Sequence, residues 1–353
     1  MRFDRMWRMS AVLIGMTLPG VSPAATALTI EAGQPYVHGP SKVSVPAVLD
    51  GVPRISAATY SEQAGLDEGL QYRGGGDGEI ISIYVFRLVL GSPEIWFDRA
   101  RFGLMNNNKL GQALDAPVEA FTPPGGRVNS ALRSVHAVQD STRFRSTAVA
   151  MIPLDGWLVT ARFSSATLDP TGLRARMDKV LGGISWPAFD GALAADPVIA
   201  CAKSLKLDKP AKVVTGGNDM AAALLGAVAV SVRQDEKAGK APKAPPAHWC
   251  RETVLANGSG VYRANNAEDS YVIAVGDSGV GLSVAPGLAG LLGEGKKGWT
   301  PNLVLLDRQL VFRDFDRLPQ TDQMIELLEK GRPISSATTW PENGNKSISI
   351  NAK

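Results

Sequence analysis

The residues whose types could support catalysis are few, and the best spaced of them surround Ser278. Residues 276–279 read Gly-Asp-Ser-Gly, in which the serine could act as a nucleophile. That chemistry needs a histidine base and a buried acid, and His136 and His248 are the histidines that could supply the base. Because glycine, aspartate and serine also favour turns, the preferred interpretation is a β-turn between two strands.

Two glycine-rich segments could approach a phosphate or another anion. Residues 290–296 (GLLGEGK) match a phosphate-binding loop, except that Lys297 stands where a magnesium-binding serine or threonine is needed. Residues 74–78 (GGGDG) could offer backbone amides to an anion beside Arg73. We interpret the first segment as a surface loop and the second as a turn before a strand, so neither predicts a cofactor.

Acidic and histidine side chains offer the remaining polar chemistry. Paired carboxylates can cleave a glycosidic bond, but charges that alternate along a strand favour ion pairs on a solvated face. The three histidines are far apart in sequence and lack the close spacing of metal ligands, so no metal site is expected. The acids are Asp307, Asp314 and Asp316, and the arginines among them are Arg308, Arg313 and Arg317. The histidines are His38, His136 and His248.

Six tryptophans could form a sugar-stacking platform or could fill cores and interfaces. We favour packing, because tryptophan has a large apolar surface and serves most often in that way. The six are Trp96, Trp157, Trp186, Trp249, Trp299 and Trp340.

The composition is that of an ordinary globular protein. The chain has 353 residues, of which 44% are hydrophobic and 20% charged, and a length of this order suggests two domains or one large one. Two cysteines exclude a disulfide-dense scaffold and a four-cysteine zinc site. The formal net charge of +3 is small and is spread evenly along the chain, so a nucleic-acid partner is not expected.

The N-terminus has the three-part layout of a secretory signal peptide. Three arginines give a positive start, residues 9–18 are mostly apolar, and small residues continue to Ala27. Cleavage after Ala24 or after Ala27 fits the pattern, and the apolar run is shorter than the ~20 residues that span a bilayer. We therefore expect residues 1–27 to be a signal peptide and the protein to be periplasmic or secreted, with no transmembrane segment in the mature chain.

Export would place Cys201 and Cys250 in an oxidising compartment. Two thiols there imply one disulfide, which would close a loop of about fifty residues. Two buried free cysteines are the alternative.

Residues 28–190 are predicted to form one α+β unit. Residues 79–90 (EIISIYVFRLVL) are typical of a central strand, and a serine, a proline and a glutamate then begin a helix over residues 93–105. A hairpin over residues 142–165 turns at an Asp-Gly pair. A second helix begins at Pro170 and ends at two glycines.

One part of this unit resembles a known family. Residues 155–187 (DGWLVTARFSSATLDPTGLRARMDKVLGGISWP) resemble the C-terminal part of PsbP-like domains, and the resemblance extends loosely over residues 28–190. It implies an α/β/α sandwich with a mostly antiparallel sheet and an exported, accessory and often non-enzymatic role. It transfers no functional residues.

Residues 191–345 are predicted to form a second α+β domain, followed by a flexible tail over residues 346–353. Its predicted elements are a helix over residues 196–207, an alanine-rich helix over 219–234, a linker over 237–246, strands over 250–255, 260–263, 270–275 and 280–284, a hairpin over 303–315 and a helix over 320–330.

The expected fold class is therefore α+β, with two mixed, mainly antiparallel-sheet domains and flanking helices after the signal peptide. With no catalytic, cofactor or metal motif, the sequence favours an exported accessory or binding protein of the bacterial cell envelope. It would act through contact with an envelope protein, a glycan or a small ligand. A structural envelope component without a ligand is a further possibility.

The alternative function is an exported hydrolase whose site assembles only in space. Its parts would be Ser278, the acids of residues 307–317, and His136 or His248. The Gly-Asp-Ser-Gly run resembles the serine region of trypsin-like proteases, although Val280 stands where that family has a further glycine.

Overall fold

The structure is a computed structural model of the chain. It describes residues 25–74, 78–107, 109–141, 143–189, 195–214, 247–287, 298–340 and 347–351.

The described residues contain three helices and many short strands. The helices are α1 (Pro93–Met105), α2 (Pro170–Gly182) and α3 (Thr321–Lys330). The strands are β1 (Thr26–Ala27), β2 (Tyr36–Val37), β3 (Ser44–Val45), β4 (Val48–Leu49), β5 (Val52–Thr59), β6 (Asp67–Arg73), β7 (Ile80–Arg87), β8 (Gln112–Ala113), β9 (Glu119–Phe121), β10 (Ala131–Gln139), β11 (Ser146–Leu154), β12 (Trp157–Ser165), β13 (Ile199–Ala200), β14 (Trp249–Val254), β15 (Gly260–Ala264), β16 (Tyr271–Ala274), β17 (Gly281–Pro286), β18 (Trp299–Val304), β19 (Arg308–Val311), β20 (Ser335–Thr338) and β21 (Ile348–Ile350).

Two large sheets organise these strands. Sheet 1 is antiparallel and follows the order β1-β5-β6-β7-β12-β11-β10-β8, with β4 paired to β5 and β9 paired to β10. Sheet 2 runs from β13 to β21 in chain order and is antiparallel except for the parallel pair of β13 and β14. The chain is therefore α+β with mainly antiparallel sheets and flanking helices, which confirms the coarse fold class.

The helices and sheets stack in the order α2, sheet 1, α1, sheet 2 and α3. Side chains alternate between the two faces of each strand, so neighbouring residues enter different cores. In β16, Val272 packs with α1 and sheet 1, whereas Ile273 packs with Met324 of α3. In β12, Leu158 faces α1, and Val159 joins the core beneath α2. Helix α1 thus lies in a core that both sheets share.

Local sequence signals explain where the correctly predicted helices begin and end and where the predicted hairpin turns. Pro93 takes the first helical position of α1, as predicted, and Asn106 ends the helix. In α2, the Asp169 side chain accepts a hydrogen bond from the backbone N–H of Gly172 and caps the first turn. The hairpin of β11 and β12 turns at residues 155–156, which confirms that prediction.

Other segments differ from the sequence predictions. The helix over residues 196–207 is wrong, because β13 lies extended beside β14 and Cys201 is bonded to Cys250. The expected flexible tail contains β21, which pairs with β20. The helix over 219–234, the linker over 237–246 and residues 1–24 of the signal peptide lie outside the described residues. The division of the chain into two domains stays a prediction.

Candidate functional site

An open groove of about 530 Å³ lies between the C-terminal half of α1, β8 and β14. Its volume falls within the range of small-molecule sites. We call it the α1 groove, and its lining residues are Asp98, Arg101, Phe102, Met105, Asn106, Gln112, Ala113, Asp115, Arg251 and Val254.

One face of α1 forms the floor of the α1 groove. Five of the lining residues are 98, 101, 102, 105 and 106, and this spacing of three and four places them on one side of a helix. Phe102 and Met105 supply the apolar part of that face, and Asp98 and Arg101 supply the charged part. The groove therefore combines a hydrophobic floor with polar groups at its sides.

A β-bulge in β14 turns two of its side chains into the α1 groove. In a regular strand, residues three apart point to opposite faces. Pairing with β15 shifts register between Arg251 and Thr253, so that Arg251 lies opposite Tyr262 and Val254 lies opposite Gly260. The extra residue in β14 shifts the alternation of side chains by one position, so Arg251 and Val254 lie on the same face of the strand. Both face α1.

Asp98 joins α1 to sheet 2 at the inner wall of the α1 groove. Its Oδ1 accepts a hydrogen bond of 2.7 Å from Nη1 of Arg251, and its Oδ2 accepts one of 2.7 Å from the hydroxyl of Tyr262. Burial raises the pKa of Tyr262, and the Asp98 carboxylate raises it further, so the phenol stays protonated and donates. Both carboxylate oxygens of Asp98 are therefore occupied.

Hydrogen-bond donors outnumber acceptors among the charged groups of the α1 groove. Only Nη1 of the Arg251 guanidinium has a hydrogen-bond partner among the described residues, and about a third of that side chain is exposed. Arg101 pairs through Nη2 with Asp115 and with the carbonyl oxygen of Ala116. Because Asp115 is 84% exposed, this ion pair is held only loosely and can be exchanged.

The disulfide between Cys201 and Cys250 fixes the strand that carries Arg251. The structure places the two cysteines in a bond with a Cα–Cα distance of 4.8 Å, which confirms the predicted disulfide. Cys250 is buried and directly precedes Arg251, and the backbone N–H of Cys201 donates to the carbonyl oxygen of Arg251. The bond therefore supports one wall of the α1 groove.

Residues 276–279 form a turn between β16 and β17 that docks on sheet 1. The backbone N–H of Val275 donates to the carbonyl oxygen of Val280, and the chain turns at residues 276–277, so the interpretation as a turn between two strands is confirmed. Gly279 has φ of +94°, and a Cβ there would lie 2.8 Å from the carbonyl oxygen of Arg87 in β7. Only glycine allows this close approach.

The docked turn brings two acids and a serine together. Ser278 lies close enough to Asp67, at the start of β6, to affect its carboxyl group, and Asp277 forms an ion pair with Arg162 of β12. Asp67 is only 7% exposed. We call Asp67, Arg162, Asp277 and Ser278 the turn cluster.

Burial, and to a smaller extent the nearby Asp277 carboxylate, raises the pKa of Asp67 to about 7, against a smaller lowering effect of Ser278. A carboxyl group that titrates near neutral pH is a property often found at functional sites, but structural ion pairs produce it as well. Here the group lies where the two sheets meet.

The histidines bond to groups other than Ser278. His136 contacts the carbonyl oxygen of Leu114 at 2.8 Å and the hydroxyl of Ser134 at 2.9 Å, and it is fully buried. His248 lies 3.3 Å from Asp196 and is exposed. The structure thus does not bring either histidine to Ser278 through a hydrogen bond.

His38, the third histidine, does contact a serine. Its Nδ1 lies 2.7 Å from the hydroxyl of Ser41 and accepts from the backbone N–H of Ser41, so Nε2 carries the proton and donates to Gly65. Burial lowers the pKa of His38. Because His38 is fully buried and Ser41 nearly so, the pair stabilises a turn rather than facing a cleft.

The other residues singled out in the sequence have structural surroundings. Asp307 pairs with Arg308, Asp316 pairs with Arg317, and Asp314 accepts from the hydroxyl of Thr300. Residues 75–77 and 290–296 lie outside the described residues. Of the six tryptophans, Trp96 and Trp157 are buried and the other four are partly buried: Trp186, Trp249, Trp299 and Trp340.

Within the described ranges, two further findings bear on function. No group of three or more histidine, cysteine, aspartate or glutamate side chains there could hold a metal ion. No helix in that part of the chain has the length and apolar character needed to cross a bilayer.

Sequence reasoning missed the α1 groove and Asp67. The groove residues come from three separate segments, and only the bulge in β14 puts Arg251 and Val254 on the same side. A helix face with Asp98, Arg101, Phe102 and Met105 at a spacing of three and four was the one signal that could have indicated it.

A comparison of the chain with models of protein families, with curated proteins and with solved structures found no match.

Proposed function

We propose that the protein is an exported accessory or binding protein of the bacterial cell envelope, which acts by contact with a ligand rather than by catalysis. The observation that carries the proposal is the α1 groove, which has an apolar floor, polar walls and a volume of about 530 Å³. The positive, apolar and small-residue layout of residues 1–27 supports export. The disulfide supports maturation in an oxidising compartment.

The surroundings of Ser278 favour binding over hydrolysis. A serine nucleophile needs a base that accepts its proton, and the group beside Ser278 is the buried carboxyl of Asp67. His136 and His248 make their contacts elsewhere. The hydrolase alternative therefore has no assembled pair of serine and histidine at this turn.

Fractionation of cells that express the full chain tests export. We expect the protein in the periplasmic or secreted fraction, with both cysteines protected from alkylation by the disulfide. Intact mass should show a mature chain that begins at Ala25 or at Leu28, because both cleavage sites fit the small-residue pattern. Full-length protein in the cytoplasm with two free thiols would contradict export.

A variant that fills the α1 groove tests ligand binding. Val254→Trp adds an indole to the groove wall, and Val128→Trp, at an exposed position away from the groove, is the matched control. A screen of envelope extracts by thermal shift should find material that stabilises the wild type and Val128→Trp but not Val254→Trp. Stabilisation of all three proteins alike, or of none, would contradict a binding function for the groove.

A further inference from the structure

The α1 groove presents cationic donors beside an apolar floor. Arg251 has one nitrogen bonded to Asp98, and its other guanidinium N–H groups have no partner among the described residues. Those groups lie on the same face of β14 as Val254, across from Phe102 and Met105 of α1. A ligand that complements this surface needs an anionic, planar acceptor and an apolar body.

The acids of the α1 groove do not oppose such a ligand equally. Asp98 is 7% exposed, and its two oxygens already accept from Arg251 and Tyr262. Asp115 is 84% exposed and binds Arg101, so it can turn away from the groove into solvent at little cost.

Guanidinium geometry further restricts the chemistry of the ligand. An arginine offers parallel N–H donors that match the two oxygens of a carboxylate. Asp98 holds Arg251 from one side and orients it, so that little side-chain entropy is lost on binding. Because this proposal concerns the same groove, it rests on the proposed binding function.

We propose that the α1 groove binds a small organic carboxylate with an apolar body. The carboxylate lies on the guanidinium of Arg251, and the apolar body covers Phe102, Met105 and Val254. Arg101, which also lines the groove, provides a second positive charge there.

Three matched probes test this ligand class: 3-phenylpropionate, 3-phenylpropionamide and 3-phenylpropylamine. We expect calorimetry or ligand-observed NMR to give an affinity for the carboxylate that is roughly tenfold or more above that for the amide, because a charge-assisted hydrogen bond is lost in the amide. The amine should bind weakest. Equal affinity for the acid and the amide, or preference for the amine, would overturn the proposal.

Two variants locate the site, and one serves as control. Arg251→Gln keeps a donor for Asp98 and should remove the preference for the acid over the amide. Val254→Trp should weaken binding of all three probes, and Arg127→Gln, in an exposed loop away from the groove, should change nothing. Thermal midpoints establish that each variant is folded. If Arg251→Gln does not fold, loss of 3-phenylpropionate binding in Val254→Trp still decides whether the acid binds in the α1 groove.

The outcomes separate the ligand class from the proposed function. If the amine binds the wild type and Val254→Trp abolishes that binding, the carboxylate is refuted as the ligand class. A binding function for the α1 groove would still hold. No binding of any probe to the wild type would refute the carboxylate, and the extract screen would then decide the binding function by itself. Acid binding that persists unchanged in both groove variants would place the site elsewhere and refute the proposal.

Discussion

Asp67 and Ser278 lie far apart in the sequence and meet where the β16–β17 turn docks on sheet 1. The Asp67 carboxyl group interacts with the side chains of Tyr60, Asp277 and Ser278. Arg162 forms an ion pair with Asp277 and neutralises its charge. A buried carboxyl group in this setting favours its protonated form. We therefore expect the contact between the sheets to depend on pH.

The first prediction concerns Asp67→Asn. The folded pKa of about 7 lies above the usual value of 3.8, so the proton stabilises the fold at low pH, and this stability is lost as the pH rises through about 7. The asparagine variant has no such loss. Urea unfolding should find it more stable than the wild type by roughly 3–4 kcal/mol at about pH 8, and the difference should shrink toward about pH 4.

Asp140→Asn is the control for that measurement. Asp140 lies in an exposed turn at φ of 52°, a conformation that asparagine tolerates, so the substitution should not alter the pH dependence. A difference between wild type and Asp67→Asn that stays constant from about pH 5 to about pH 8 would contradict the assignment of the titration to Asp67.

At the scale of elements, strong local sequence patterns predicted individual helices and strands. Strands that depend on long-range pairing could not be predicted in this way. Strand β7, helix α1 and the hairpin of β11 and β12 follow from apolar periodicity and turn residues. Strand β6 (DEGLQYR) reads as polar and was missed, although it pairs with β5 and β7. Its Gly69 is needed because a Cβ there would lie 2.8 Å from the rings of Tyr60 and Tyr84, which is tertiary information.

The candidate site was less predictable than the fold for a related physical reason. The disulfide followed from the cysteine count and the expected compartment. The α1 groove depends on the bulge in β14, and one extra residue in a ladder leaves no clear signal in the sequence. The Asp67 environment depends on a turn more than 200 residues away, at residues 276–279.

The second prediction concerns the disulfide and the strand that it holds. Replacing Cys201 and Cys250 together by serine should lower the free energy of unfolding by about 2–4 kcal/mol, since the open chain gains entropy when it unfolds. It should also weaken binding in the α1 groove, because Cys250 precedes Arg251 in β14. Urea unfolding and calorimetry with 3-phenylpropionate measure the two effects.

A conservative change elsewhere in sheet 2 is the control for the second prediction. Ile350→Val in the exposed strand β21 should leave both stability and probe affinity near those of the wild type. If the double serine variant loses stability but binds 3-phenylpropionate with unchanged affinity, the disulfide does not support the groove wall.

At the scale of the whole molecule, the two sheets share a core as well as a boundary. Val272 and Val304 of sheet 2 lie in the same cluster as Trp96 of α1 and Leu158 of sheet 1. Polar contacts follow the same boundary, since Arg87 of β7 donates to the carbonyl oxygens of Leu306 and Thr339. Such an interface couples the stability of one half of the chain to that of the other.

The third prediction follows from this shared core and uses Val272→Ala. Removing two methyl groups from a side chain that is 6% exposed should destabilise the protein by about 2 kcal/mol. Amides of β11 and β12 in sheet 1 that exchange only through global unfolding should then exchange roughly thirtyfold faster, together with those of sheet 2. Val128→Ala, at a position 74% exposed, should change neither set. Faster exchange confined to sheet 2 would mean that the halves unfold independently, as two separate domains would, and that α1 is held by sheet 1 alone.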